Sequence, residues 1–201
     1  WHERAKETFD LINQFYRISS GPWSGLYNES SPKGSENSSY LWPYDGLMSG
    51  VALLHRLGYD EIDYAAMTDQ FERYWYVKNG VGGYGSQTDG TSGQADRFYD
   101  DNSIVGLDLV DAYSLTGDNR YLERAGRIVD FLASGKDDVF GGALWWNESL
   151  KNQPGNDSSN KPACANGYAT SFLLHYYQVC PDEEKTEVLS FARELYDWLV
   201  E

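Results

Sequence analysis

Two carboxylates stand side by side in Phe98-Tyr99-Asp100-Asp101-Asn102, just ahead of a helical run. Crowding two like charges raises the pKa of one, leaving a proton beside an anion. Glycoside hydrolysis needs that combination. One carboxylate attacks or stabilises the sugar cation, and one carboxylic acid protonates the leaving oxygen. A retaining enzyme holds the two about 5 Å apart, a separation that neighbours at a helix start can reach. Plain helix capping is the competing reading, because the helix dipole also favours acids in a first turn. A second pair, Asp137-Asp138, sits in a Lys-Asp-Asp-Val turn without aromatic neighbours and provides an internal contrast.

Rings are the other ingredient of a sugar site, since pyranose C–H faces stack on them while hydroxyls seek hydrogen bonds. Aromatic residues make up 15% of the chain. More than half of them are expected in the core, but several fall in glycine-rich loops. Trp42-Pro43-Tyr44-Asp45-Gly46 precedes a helix and reads either as substrate contact or as an aromatic staple with Asp45 as N-cap. Trp145, Trp146 and Asn147 read either as contacts or as loop packing. Tyr99 reads as a support for the Asp pair rather than a sugar contact.

Sixteen Lys and Arg against 31 Asp and Glu give a net charge of −15, a field that disfavours phosphate backbones and anionic membrane surfaces. A neutral substrate is compatible with it. The mean hydropathy of −0.59 and the lack of a long apolar run exclude a membrane-spanning helix. His2, His55 and His175 are far apart in sequence, and no CxxC or HExxH spacing exists, so neither a metal nor a cofactor is expected. Cys164 and Cys180, on one helix and roughly 24 Å apart, cannot bridge; both read as buried thiols. Gly80-Val81-Gly82-Gly83-Tyr84-Gly85 satisfies GxGxxG, but it follows a helix, with no strand expected before it, and leads into a polar loop, so it is not read as a dinucleotide site. The sequons at Asn28, Asn37, Asn147 and Asn156 would matter only in a eukaryotic secretory context.

What positions the pair is an array of helices. Apolar spacing predicts helices over 3–17, 43–57, 62–78, 101–115, 119–134, 163–179 and 183–200, with no strand series: an all-α chain. Loops carrying glycine and an aromatic recur around Gly25, Gly82 and Gly141, 57 and 59 residues apart. Such a period denotes helical hairpins stacked in a solenoid or closed ring, with their loops gathered at one end. Residues 104–113 lack an amphipathic stripe, as an inner helix of a ring would. The single domain expected over 1–201 begins on Trp1 and stops before the next loop, so a longer protein is expected.

The Asp100-Asp101 pair, the Gly141-Gly142-Ala143-Leu144-Trp145-Trp146 loop and the segment Asn160-Lys161-Pro162-Ala163-Cys164-Ala165-Asn166-Gly167 together resemble glycoside hydrolase family 76. The resemblance implies an (α/α)6 toroid, of which this chain would supply slightly more than half, because six hairpins at this period need about 350 residues. It implies cleavage of α-1,6-linked mannan with retention, Asp100 as nucleophile and Asp101 as general acid/base. It also places the Trp-Trp loop, Lys161 and Asn166 along the sugar cleft. An α-mannan substrate would be met outside the cytoplasm. Two other classes stay open: a non-catalytic carbohydrate-binding protein, and another toroid enzyme such as an unsaturated uronyl hydrolase or an epimerase. The first has no need of crowded carboxylates. The epimerase would want histidines and the uronyl hydrolase cations, and Lys161 is the only cation among the cleft candidates.

Overall fold

The computed structural model describes residues 1–30, 38–88 and 95–201. Helix α1 (His2–Tyr16) leads to α2 (Leu41–Arg56) and the short α3 (Tyr64–Thr68), which runs into a 3₁₀ segment, Asp69–Tyr74. An antiparallel hairpin follows, β1 (Trp75–Lys78) with β2 (Val81–Tyr84). The chain then forms α4 (Tyr99–Thr116), α5 (Asn119–Ala133), α6 (Ala163–Val179) and α7 (Lys185–Val200).

Inner and outer helices differ as their sequences require. In α5 the buried residues Tyr121, Ala125, Ile128, Phe131 and Leu132 follow one stripe, so one face is covered and the other is wet. In α4 the burial runs around the helix and includes Asp100, Asn102, Ser103 and Asp108 beside Val105, Leu109 and Ala112. That helix packs against α2, α5 and α6, and α6 in turn packs against α7. Close approach of α4 and α6 depends on Gly106, where a Cβ would lie 2.6 Å from the Phe172 ring. The inner helices α2, α4 and α6, backed by α1, α3, α5 and α7, form an arc of an α/α toroid.

Two expectations change. The stretch 62–78 is not one helix: it breaks into α3, the 3₁₀ segment and β1. Its last residues, Trp-Tyr-Val-Lys, favour a strand, and Asn79 and Gly80 both adopt positive φ (53° and 81°), as a two-residue hairpin turn demands. A strand therefore does precede the GxGxxG sequence, but the motif turns back along it instead of opening a helix. Gly83 is needed there for packing, since a Cβ would lie 2.9 Å from Phe131. The other change is at α2, which starts two residues early. Tyr40 is its N-cap, and Asp45 lies inside the helix rather than capping it.

Candidate active site

The loops meet at the end where the inner helices begin, and backbone pairing repeats from unit to unit. The N–H of Asn28 donates to Tyr16 O at 2.8 Å, that of Gly85 to Tyr74 O at 2.8 Å, and that of Trp145 to Gly135 O at 3.2 Å. Each of the last two loops is then clasped by an asparagine at the fourth residue of an inner helix. Asn102 accepts from Tyr84 N and donates to Tyr84 O; Asn166 does the same with Leu144. The first residue of an inner helix is tied to the next loop, Leu41 N to Ser86 O at 2.9 Å and Tyr99 N to Trp146 O at 3.0 Å. The second residue of α2 and of α4, Trp42 and Asp100, lines the cleft, and Cys164 holds the same place on α6.

That cleft holds about 620 Å³ and is walled by Tyr40, Trp42, Phe98 and Trp146, with Ser86, Gln87 and Asp96 at its edge and Asp100 and Asp101 within it. Trp42 is half-exposed and Phe98 packs on Trp146, their ring centroids 5.1 Å apart. The Trp146 Nε1–H donates to Asp100 Oδ2 at 3.1 Å, and the Asp101 backbone N–H donates to Asp100 Oδ1 at 3.1 Å. Cys164 Sγ lies 4.0 Å from the same Oδ2.

The two carboxyls differ in what surrounds them. Burial pushes Asp100 above its ordinary value, opposed by the backbone N–H groups of Asp101 and Asp100 and by the Trp146 ring N–H, all of which favour the anion. Asp101 receives no such bond among the described residues. Burial, and then the charge of Asp100, push it up to about 7. The pair can therefore present an anion and a proton donor together near neutral pH. No lysine or arginine lines the cleft among the described residues.

Of the residues expected to meet sugar, Trp42 and Trp146 reach the cleft beside the pair. The others lie elsewhere. Tyr44 is buried, its hydroxyl donating to Met67 O at 2.6 Å and its ring stacked on Tyr74. Asp45 is buried against α4. Tyr99 stacks on Phe131 under the pair and supports it through the backbone. Trp145 faces inward, its Nε1–H donating to Asp137 Oδ2 at 2.7 Å, and Asn147 Oδ1 accepts from Ser149 N. Lys161 is turned away from the cleft, donating to Asp137 O, Asp137 Oδ1 and Gly142 O. Asn166 is spent on its clasp. Cys164 is exposed rather than buried, because its helix position faces the cleft and not the core, whereas Cys180 is buried; both thiols are free. Asn28 and Asn147 of the sequons are buried, and Asn37 lies outside the described residues.

One supporting group left no signal in the sequence. Arg97 is fully buried between the Tyr76 and Phe131 rings and forms a bidentate pair with Glu148, 51 residues on. It fixes the strand entering the pair against the loop that carries Trp146, where Phe98 and Asn147 form a β-bridge. Phe98 could have been found from its place beside the pair, and Cys164 from the repeat register.

The family profile described as glycosyl hydrolase family 76 matches residues 1–201. The chain belongs to that family. Among solved structures, a family 76 α-mannanase of Bacteroides thetaiotaomicron matches with a TM-score of 0.79 and 26% identity, over 98% of this chain and 53% of its own. The α-1,6-mannanase of Salegentibacter sp. HEL1_6 matches with a TM-score of 0.70 and 25% identity, over 98% of this chain and 50% of its own. An inactive variant of the latter, with two consecutive aspartates replaced by asparagine, is in complex with α-1,6-mannotriose and matches over the same shares with the same score and identity. No curated protein matches in sequence. This family 76 chain spans about half the length of the structures it resembles.

Proposed function

We propose that this chain carries the catalytic pair of a retaining glycoside hydrolase that cleaves α-1,6-mannosidic linkages. The observation that carries the reading is the asymmetry of the pair: N–H groups of the backbone and of Trp146 favour the Asp100 anion, whereas Asp101 receives no such bond among the described residues and is raised to about 7. Asp100 is the nucleophile. Its carboxylate attacks the anomeric carbon while Asp101 gives its proton to the departing glycosidic oxygen. Asp101, now ionised, takes a proton from water, which attacks the glycosyl–Asp100 ester and releases sugar with its original configuration. Trp42 and Trp146 offer flat faces for pyranose rings. The Trp146 N–H also steadies Asp100.

Family membership and the similar Salegentibacter enzyme support this assignment, because its inactive variant lacks two consecutive aspartates and binds α-1,6-mannotriose. The absence of a cleft cation among the described residues favours a neutral sugar over a uronide. A polymeric mannan is met outside the cytoplasm, and we assign the enzyme to that side. The test is ¹H NMR of linear α-1,6-mannan treated with the full-length protein. The α-anomer should appear first and mutarotate to the mixture; a first-formed β-anomer, or an intact polymer, contradicts the proposal.

A further inference from the structure

A second carboxyl pair lies behind the first and takes no part in the proposed chemistry. Asp45 on α2 and Asp108 on α4 are 4% and 7% exposed, and among the described residues no donor reaches Asp45 Oδ1 or Asp108 Oδ2. They are within hydrogen-bonding reach of each other. Ser49, one turn beyond Asp45, donates to Asp108 Oδ1 at 3.3 Å. Asp101 and Asp108, seven residues apart, share a face of α4 and lie about 10.5 Å apart along its axis. Asp45 feels both of them.

We infer that Asp45 and Asp108 share one proton across the α2–α4 contact, with Asp45 the acid and Asp108 the anion, so that the side chain standing behind Asp101 is neutral. One proton turns two orphaned oxygens into a single hydrogen bond. Two buried anions in contact would be shielded from solvent, with no cation among the described residues to offset them. The division follows from the neighbours. Ser49 donates to Asp108 and stabilises its charge, whereas the charges of Asp108 and Asp101 both bear on Asp45. Burial raises both groups; the neighbouring charges add to it at Asp45, whereas hydrogen bonds from Asp45 and Ser49 oppose it at Asp108. The remaining charged or titratable groups here are Asp111, paired with Arg56 at 2.9 Å, Tyr64, which stacks on His55, and Tyr44; Arg17, just past α1, bears on Tyr44. A neutral Asp45 spares Asp101 a further negative charge, so that its proton can be released near neutral pH.

The test compares wild type with Asp45→Asn in the full-length protein. If the folded state holds a proton that the unfolded chain has lost, the wild-type folding constant weakens an extra tenfold per pH unit between about pH 7.5 and 9. Asp45→Asn should remove that tenfold; equal slopes overturn the inference. Should Asp45→Asn fail to fold, the double variant Asp45→Asn, Asp108→Asn serves, because with both carboxyls replaced no proton is left to be held and the slope flattens alike. A second readout rests on Asp101 being the acid. The upper pH limit of cleavage should stay within about 0.2 unit in Asp45→Asn, since one neutral group replaces another. A fall in that limit means that Asp45 is charged in wild type and contradicts the inference. If wild type cleaves nothing, the reaction reading fails while the stability slopes still decide the shared proton.

Discussion

The chain contains two Asp-Asp dipeptides in opposite circumstances. Asp137 lies in a turn, where burial would raise it, but hydrogen bonds from the Lys161 ammonium, the Trp145 ring N–H and the Val139 N–H together outweigh that and hold it below the usual carboxylate range. Asp100 and Asp101 stand at the start of an inner helix with no cation beside them among the described residues, and both are raised. The first arrangement uses a carboxylate as an anchor: its charge is neutralised, and the 140s loop is pinned to the segment before α6. The second keeps two carboxyls close and unneutralised, which costs stability and supplies reactivity. The dipeptide alone does not distinguish the two; the presence or absence of Lys161 does.

The comparison breaks most decisively at Asp100. Asp100→Asn in the full-length protein is expected to lower kcat/KM on α-1,6-mannan by roughly 10⁴-fold or more, because the nucleophile is gone. Comparable rates would return the pair to helix capping. Asp101→Asn should cost about 10³-fold, and it should also change stability in a defined direction. The raised pKa means that the folded state keeps a proton which the unfolded chain loses as pH rises past about 4. The resulting penalty grows until pH passes about 7. Asp101→Asn should therefore be more stable than wild type at pH 8 by about 1–3 kcal/mol, and not at pH 4, in denaturant titrations.

At the other dipeptide the roles reverse. Lys161→Met removes three donated hydrogen bonds and strands their acceptors, so unfolding should become easier by about 2–4 kcal/mol. Cleavage by the folded fraction should change far less than in either aspartate variant. A large loss of kcat with normal stability would put Lys161 in the cleft after all. The smallest effect belongs to Trp146→Phe, which keeps the ring and deletes its N–H bond to Asp100. Roughly a tenfold loss in kcat/KM is expected, together with a rise in the lower pH limit of activity, because the Asp100 anion loses a donor.

Much of this was legible in the residues because the inner helices leave an unusual signature. Residues 104–113 lack an amphipathic stripe, as expected of a helix covered on most of its sides. The acidic pair at the head of the same helix then falls at the loop end by necessity. The motif groups Trp145, Asn147, Lys161 and Asn166 with the cleft, yet their side chains are engaged by Asp137, Ser149 and the loop backbone. Sequence proximity to Trp146 cannot reveal that Trp145, its neighbour, faces the opposite way. Asn79-Gly80, flanked by aromatic and β-branched residues, was a readable hairpin signal that helical periodicity obscured. The Arg97–Glu148 and Asp45–Asp108 pairs join residues 51 and 63 apart, and only the folded arc brings them together.

The central claim is that adjacent aspartates in one cleft divide into an anion and an acid. Carboxyl ¹³C NMR titration of aspartate-labelled protein, with Asp100→Asn and Asp101→Asn used for assignment, measures this without reference to any substrate. The Asp101 carboxyl should titrate near 7 and that of Asp100 below it. If both ionise together in the range of ordinary exposed aspartates, the pair is a helix cap and the division of labour does not exist.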